Sequence, residues 1–130
     1  MEEERKILVA DDDDGYRVPI VNILQDFGYA VAEATDKAGV LKHATEIDTL
    51  VVDVRLPSQE MEGIAAVREL AQPGKRYTVV FISVLPQDLA KDKLKELEDL
   101  NIRYSWLVKP FELQRLLEVI EEMMSDRGAK

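Results

Sequence analysis

An α/β domain built on a doubly wound five-stranded parallel sheet is predicted by three observations on the sequence. Short apolar runs of strand length alternate five times with segments of helical periodicity. Most of these runs are continuously apolar, as strands are when helices cover both faces of the sheet. Polar and charged residues of chemical interest recur at the carboxyl ends of the runs, the edge at which such sheets bind ligands.

The elements follow in order. Ile7 to Ala10 is the first apolar run, and it leads into four consecutive acids, Asp11 to Asp14. Val18, Val21, Ile23, Leu24 and Phe27 then recur at helical spacing, with Gly28 where a helix C-cap belongs. "YAVAEA" alternates as a strand, and Thr35 or Asp36 caps a short helix containing Val40, Leu41 and Ala44. "TLVVDV" is the third strand, closed by "RLPSQEMEG". Ile64, Val67, Arg68 and Leu70 fit the next helix, which Gln72-Pro73-Gly74 breaks. "YTVVFISV" is rich in β-branched and aromatic residues and reads as strand four. Leu89, Leu94, Leu97 and Leu100 predict a helix dense in charge. "IRYSWLV" is strand five, and Leu113, Leu116, Leu117, Ile120 and Met124 form the stripe of a last helix. The whole is expected to be one domain over 1–130, with its core over about 5–124 and a frayed polar tail over 125–130.

Composition narrows the function classes. A chain of 130 residues that is 46% hydrophobic and 33% charged suits one globular domain rather than two, or a disordered segment. The net charge of -9 argues against direct binding to nucleic acid or to an anionic membrane, both of which need a basic face. Without cysteine there is neither a disulfide framework nor a thiolate metal site. "MEEERK" lacks the apolar core of a signal peptide, and no apolar run approaches the ~18 residues of a membrane span. A cytoplasmic protein is expected.

On the predicted scaffold Asp11 and Asp12 follow strand one, Asp53 ends strand three, Ser83 ends strand four and Lys109 closes strand five. Parallel strands bring all of these to one sheet edge. Three clustered carboxylates raise one another's pKa unless a cation neutralises them. Oxygen-only ligands suit Mg²⁺, which is usually completed by a phosphate. A lysine then supplies a point charge for that phosphate and a serine a hydrogen bond.

The segments "ILVADDDD", "LVVDVRLP" with the following Gly63, "FIS" and "LVKPF", in this order on this scaffold, resemble the receiver domain of bacterial two-component response regulators. The resemblance implies the flavodoxin-like (βα)₅ fold with strand order 2-1-3-4-5. It implies that Asp53 is the phospho-acceptor, taking a phosphoryl group from a sensor histidine kinase or a phosphotransfer protein. Asp12 would ligate Mg²⁺ directly, Asp11 through a water, with Asp53 and the backbone carbonyl of Arg55 completing the set. Lys109, Ser83 and the backbone N–H of Val84 would bind the phosphate. Ser83 and Trp106 would act as the switch pair, and Pro110 would follow a cis peptide bond. Such a domain catalyses at most its own phosphorylation and dephosphorylation. Its signal would leave through the face of helix four, strand five and helix five, toward an effector protein, a missing output domain or a second copy of the chain.

Other readings are weaker on the same residues. Asp13 and Asp14 fall where helix one begins and complement its dipole rather than a metal. Asp12-Asp13-Asp14-Gly15 fits the start of a haloacid-dehalogenase-like phosphatase, but the second acidic pair that family needs is missing after Lys109. "DDDDG" would repel a flavin phosphate, and a calcium loop placed on Gly15 fails at both end ligands, Ala10 and Val21. His43, the single histidine, is expected at the surface. The chain is longer than the family's habit between Asp53 and Gly63 and between Ser83 and Lys109, and Val84 stands where Ala or Gly is usual. The alternative function is a pseudo-receiver, a protein-binding module independent of phosphorylation.

Overall fold

The computed structural model describes residues 5–55 and 61–128. Five strands and five helices alternate: β1 (Lys6–Ala10), α1 (Asp14–Asp26), β2 (Ala30–Ala34), α2 (Lys37–His43), β3 (Thr49–Asp53), α3 (Glu62–Leu70), β4 (Tyr77–Ser83), α4 (Lys91–Lys95), β5 (Ile102–Val108) and α5 (Leu113–Gly128). The strands form one parallel sheet in the order β2-β1-β3-β4-β5. The expected fold class and strand order are both observed. β1, β3 and β4 are buried almost throughout, whereas the edge strands β2 and β5 are largely half-buried.

The period-2 alternation of strand side chains divides the core in two. Leu8, Leu50, Val52, Val79 and Phe81 pack on one face of the sheet with Val40, Ile64, Val67, Leu94 and Leu97. Ile7, Val9, Val51, Val80 and Ile82 pack on the other with Ile20, Val21 and Leu24 of α1 and Leu116, Leu117, Ile120 and Met123 of α5. The α1 stripe is displaced from the expected one. Val18 and Phe27 are exposed, at 44% and 56%, and Ile20 takes the central buried place.

Local chemistry sets the helix boundaries. Asp13 caps α1 by accepting the Gly15 N–H at 2.8 Å, and Gly28 ends it with φ of 94°, a conformation that costs glycine little. Asp36, rather than Thr35, caps α2 by accepting the Gly39 N–H. Two helices depart from expectation. The predicted fourth helix is a 3₁₀ turn (Gln87–Ala90), the short α4, and a run of turns. The Leu97, Glu98 and Leu100 N–H groups each reach back three residues rather than four, which winds the chain too tightly for an α-helix. Leu89 is consequently 61% exposed while Leu94 and Leu97 are buried. The last helix runs through the polar residues from Ser125 as far as Gly128, where the sequence predicts a frayed tail. His43 is half-buried in the last turn of α2 rather than at the surface. Leu56, Pro57 and most of the lengthened segment before Gly63 lie outside the described residues.

At Gly63 the start of α3 presses against the end of β3. A Cβ there would stand 2.1 Å from the carbonyl oxygen of Asp53, and the Gly63 N–H donates to the Val54 carbonyl at 2.8 Å. Any side chain must push β3 or α3 away. Gly63→Ala is therefore expected to destabilise the fold by about 1–3 kcal/mol. Urea titration of both proteins checks this, and equal midpoints would show that the helix slides aside freely.

Candidate metal and phosphate site

Parallel pairing delivers three charged side chains to one place. Asp11 follows β1, Asp53 is the last residue of β3, and Lys109 follows β5. The Lys109 backbone N–H donates to the Ser83 carbonyl at 2.7 Å, which fastens the end of β5 to the end of β4. The Lys109 Nζ then donates to Asp11 Oδ2 at 3.0 Å and to Asp53 Oδ2 at 3.2 Å. The remaining oxygens are held by the backbone. Asp11 Oδ1 accepts the Asp13 N–H at 2.9 Å, and Asp53 Oδ1 accepts the Arg55 N–H at 3.0 Å. Asp11 is fully buried and Asp53 is 6% exposed, while Asp12 faces solvent.

Two buried carboxylates facing one ammonium leave negative charge uncompensated. Burial pushes the Asp53 carboxyl up to about 6, and the charge of Asp11 pushes the same way. The Arg55 N–H and Lys109 oppose the rise without cancelling it. Burial alone would lower the Lys109 pKa, but the hydrogen bond it donates to Asp11 and the charges of both acids outweigh it and raise it, so the lysine stays an ammonium.

Asp11, Asp12 and Asp53 each offer an oxygen within 4.8 Å of the others. An all-oxygen, all-carboxylate set with surplus negative charge fits a hard divalent cation. Asp13 and Asp14 are not part of this group, since Asp13 caps α1 and Asp14 sits in its first turn.

The other expected residues surround the site. Ser83 is fully buried, and its Oγ accepts the Leu85 N–H at 2.9 Å. Val84 is 59% exposed at the start of the loop after β4. Trp106 is half-buried against Phe81, and its Nε1–H donates to the Leu85 carbonyl at 3.0 Å. The Lys109–Pro110 peptide bond is cis, as expected.

Two neighbours of the site were not legible as site residues. Arg17 donates to the Asp11 carbonyl at 3.0 Å while pairing with Asp14 at 2.7 Å and Glu33 at 2.9 Å. Its pKa is raised first by the Glu33 hydrogen bond. Tyr16 lays its ring against the Lys109 ammonium, 4.1 Å from the centroid. The available signal was spacing, since both lie within one helical turn of the acidic run.

With this geometry in place, comparison with known proteins is decisive. Residues 7–121 match the family described as the response regulator receiver domain. The chain belongs to the receiver-domain family. The sensor kinase CckA of Brucella abortus (strain 2308) is 30% identical over 91% of this chain and 12% of its own length. The chemotaxis protein CheY of Listeria monocytogenes is 29% identical over 90% of the chain and 96% of its own. The chain spans 12–52% of the length of the first three curated relatives it matches, CckA and two transcriptional regulatory proteins. Among solved structures, chemotaxis protein CheY4 of Vibrio cholerae superposes with a TM-score of 0.79 at 27% identity, covering 92% of this chain and 98% of that one. Receiver domains are signalling modules of two-component systems rather than conventional enzymes. No helix among the described residues is long and apolar enough to cross a membrane.

The raised Asp53 pKa has a consequence for stability. The folded receiver domain binds the Asp53 proton up to about pH 6, whereas an unfolded carboxyl releases it near 3.8. Between those values the folded state holds more protons, so stability falls as pH rises through the window. Above it, the ionised carboxylate costs the metal-free fold on the order of 2–3 kcal/mol. In metal-free buffer Asp53→Asn is expected to melt higher than wild type at pH 7.5, with the gap closing as pH falls from 6 toward 4. Calorimetric melts across that range check the expectation, and a gap independent of pH would contradict it.

Proposed function

We propose that this receiver domain is a phosphorylation-dependent switch in which Asp53 accepts a phosphoryl group from the phosphohistidine of a sensor histidine kinase or phosphotransfer protein. The observation that carries this reading is the placement of Asp53, a buried carboxylate with a raised pKa that shares the Lys109 ammonium with Asp11 and has its oxygens clustered with those of Asp11 and Asp12. An Asp53 carboxylate oxygen attacks phosphorus, the P–N bond breaks, and its electron pair leaves with the imidazole nitrogen. Lys109 stabilises the charge carried by the transferred group's oxygens. The Ser83 hydroxyl and the Val84 backbone N–H supply hydrogen bonds from the end of the neighbouring strand β4.

The metal in this reading is Mg²⁺, which Asp12, Asp53 and the Arg55 carbonyl would hold directly and Asp11 through a water. It would neutralise the charge of the acidic cluster and of the phosphoryl oxygens.

The route of the signal is supported by one residue of the loop after β4. Leu85 binds the Ser83 hydroxyl through its N–H and the Trp106 indole through its carbonyl. Turning Ser83 toward a phosphoryl group breaks the first bond and frees the loop that carries the second. That movement biases the face of α4, β5 and α5, on which Val108 is exposed and next to which Leu89 of the preceding 3₁₀ turn is exposed as well. The recipient is an effector protein, an output domain joined to this one, or a second copy of the chain. The proposed unit is one domain over 1–130 acting in the cytoplasm.

Incubation with acetyl phosphate and Mg²⁺, read by intact mass, tests the reading. Wild type should gain one phosphoryl group and Asp53→Asn none. Asp12→Ala should lose the Mg²⁺ dependence of Trp106 fluorescence at millimolar metal. An Asp53→Asn protein phosphorylated as wild type would overturn Asp53 as the acceptor, and a wild type that takes up nothing would leave the pseudo-receiver reading in its place. Val84, exposed in the loop after β4, carries a stiff β-branched side chain, which in this reading stands where an incoming donor or water needs in-line access. Val84→Ala should speed both phosphorylation by small donors and phosphate loss by about threefold to tenfold. Stopped-flow fluorescence of Trp106 measures each step, and unchanged rates would reduce Val84 to a surface side chain.

A further inference from the structure

The third group against the Lys109 ammonium is aromatic. The Tyr16 ring centroid lies 4.1 Å from Nζ, at the distance of a cation–π contact. Tyr16 is the third residue of α1, and its N–H donates to the Asp13 carbonyl at 3.0 Å, so its backbone is tied to the loop that carries Asp11 and Asp12. Its ring also meets that of Phe111, two residues beyond Lys109, with centroids 5.9 Å apart and planes tilted by 44°. Both rings pack against the core on the α1 and α5 side of the sheet. The ring is thus fixed relative to both the acidic loop and the lysine.

An ammonium has three donors, and two are spent on Asp11 Oδ2 and Asp53 Oδ2. A lysine on a flexible four-carbon stem loses one of those partners as Asp53 becomes an acyl phosphate. Asp11 alone would draw the ammonium back toward β1. The face of an uncharged ring attracts the cation without competing as a charge for it, so it holds the ammonium near the site while one anion replaces another.

We propose that Tyr16 is a positioning residue whose ring keeps Lys109 within reach of the phosphoryl group through that exchange of partners. This rests on the reading of Asp53 as phospho-acceptor. The ring and not the phenol does the work, so Tyr16→Phe should behave as wild type and Tyr16→Leu should not.

The test measures phosphorylation by acetyl phosphate with Mg²⁺ in wild type, Tyr16→Phe, Tyr16→Leu, and proteins carrying mono-, di- and trifluorinated phenylalanine at position 16. Fluorination weakens the ring's quadrupole while nearly preserving its shape, so a packing role leaves the series flat. Tyr16→Phe should lie within about twofold of wild type, and Tyr16→Leu should be about tenfold slower, the size of a desolvated cation–π attraction. The logarithm of the rate should fall with each added fluorine. By NMR, the Lys109 ε-methylene protons should show an upfield ring-current shift in wild type and Tyr16→Phe that Tyr16→Leu lacks, with thermal melts confirming that each protein is folded. A Tyr16→Leu rate equal to wild type, a flat fluorine series or an unshifted ε-methylene in wild type overturns the role of Tyr16 alone. A wild type that accepts no phosphoryl group overturns the reading of Asp53, and the role of Tyr16 with it.

Discussion

One buried ammonium, Lys109 between Asp11 and Asp53, organises the upper edge of the sheet. An isolated charge at that depth would be costly, and so would either carboxylate alone. The three groups are tolerable only together, and they come from the ends of β1, β3 and β5. Their meeting therefore requires the strand order observed, with β1 and β3 adjacent and β5 reaching across behind β4. It also requires the close approach at Gly63 that seats α3 directly on the peptide of Asp53. The same pairing is unbalanced, since two buried acids share one base. The fold holds the imbalance because the hydrophobic layers on both faces of the sheet leave the strand ends little freedom.

Hydrogen bonds lead from this edge of the sheet toward a surface. Ser83, Leu85 and Trp106 form a short chain of hydrogen bonds from the site to the edge strand β5. The chain of bonds ends near an irregular segment, where tight turns follow the brief α4 and Leu89 and Val108 are exposed. A segment held by so few helical hydrogen bonds is inexpensive to rearrange. A change in charge at Asp53 thus lies a few bonds away from a loop and helix with little to keep them in one arrangement.

Much of this was readable in the residues. Continuous runs such as "TLVVD" and "YTVVFIS" had no alternative to burial on both faces, and the alternation of five such runs with helical stretches determined the parallel sheet. Asp11, Asp53 and Lys109 could be placed together because strand ends are the best-defined points of such a fold. What escaped depended on side-chain direction or helix winding rather than on pattern. Tyr16 and Arg17 look like ordinary residues of an amphipathic helix, and only the angle of α1 over the acidic loop turns them toward Lys109 and the Asp11 carbonyl. The leucines from Leu89 to Leu100 have helical spacing, which fits a broken helix with two buried leucines as well as an unbroken one with four. At the C-terminus a polar composition suggested an end that the backbone does not take until Gly128.

The sign of the charge around the site also bears on what can approach it. Asp12, Asp13 and Asp14 are exposed beside the buried Asp11, and Glu33 pairs with Arg17, the local counterweight, which also pairs with Asp14. Arg17 is occupied by Asp14, Glu33 and a main-chain carbonyl, so its charge is largely spent before any ligand arrives. An anion approaching this surface is repelled, and a divalent cation is drawn in. The run of aspartates thus leaves this edge of the sheet acidic, with Asp13 capping α1 and the oxygens of Asp11 and Asp12 clustered with those of Asp53 in a set that suits a hard cation. Lys109 cannot neutralise that cluster alone, because its charge is already shared between two acids and a ring.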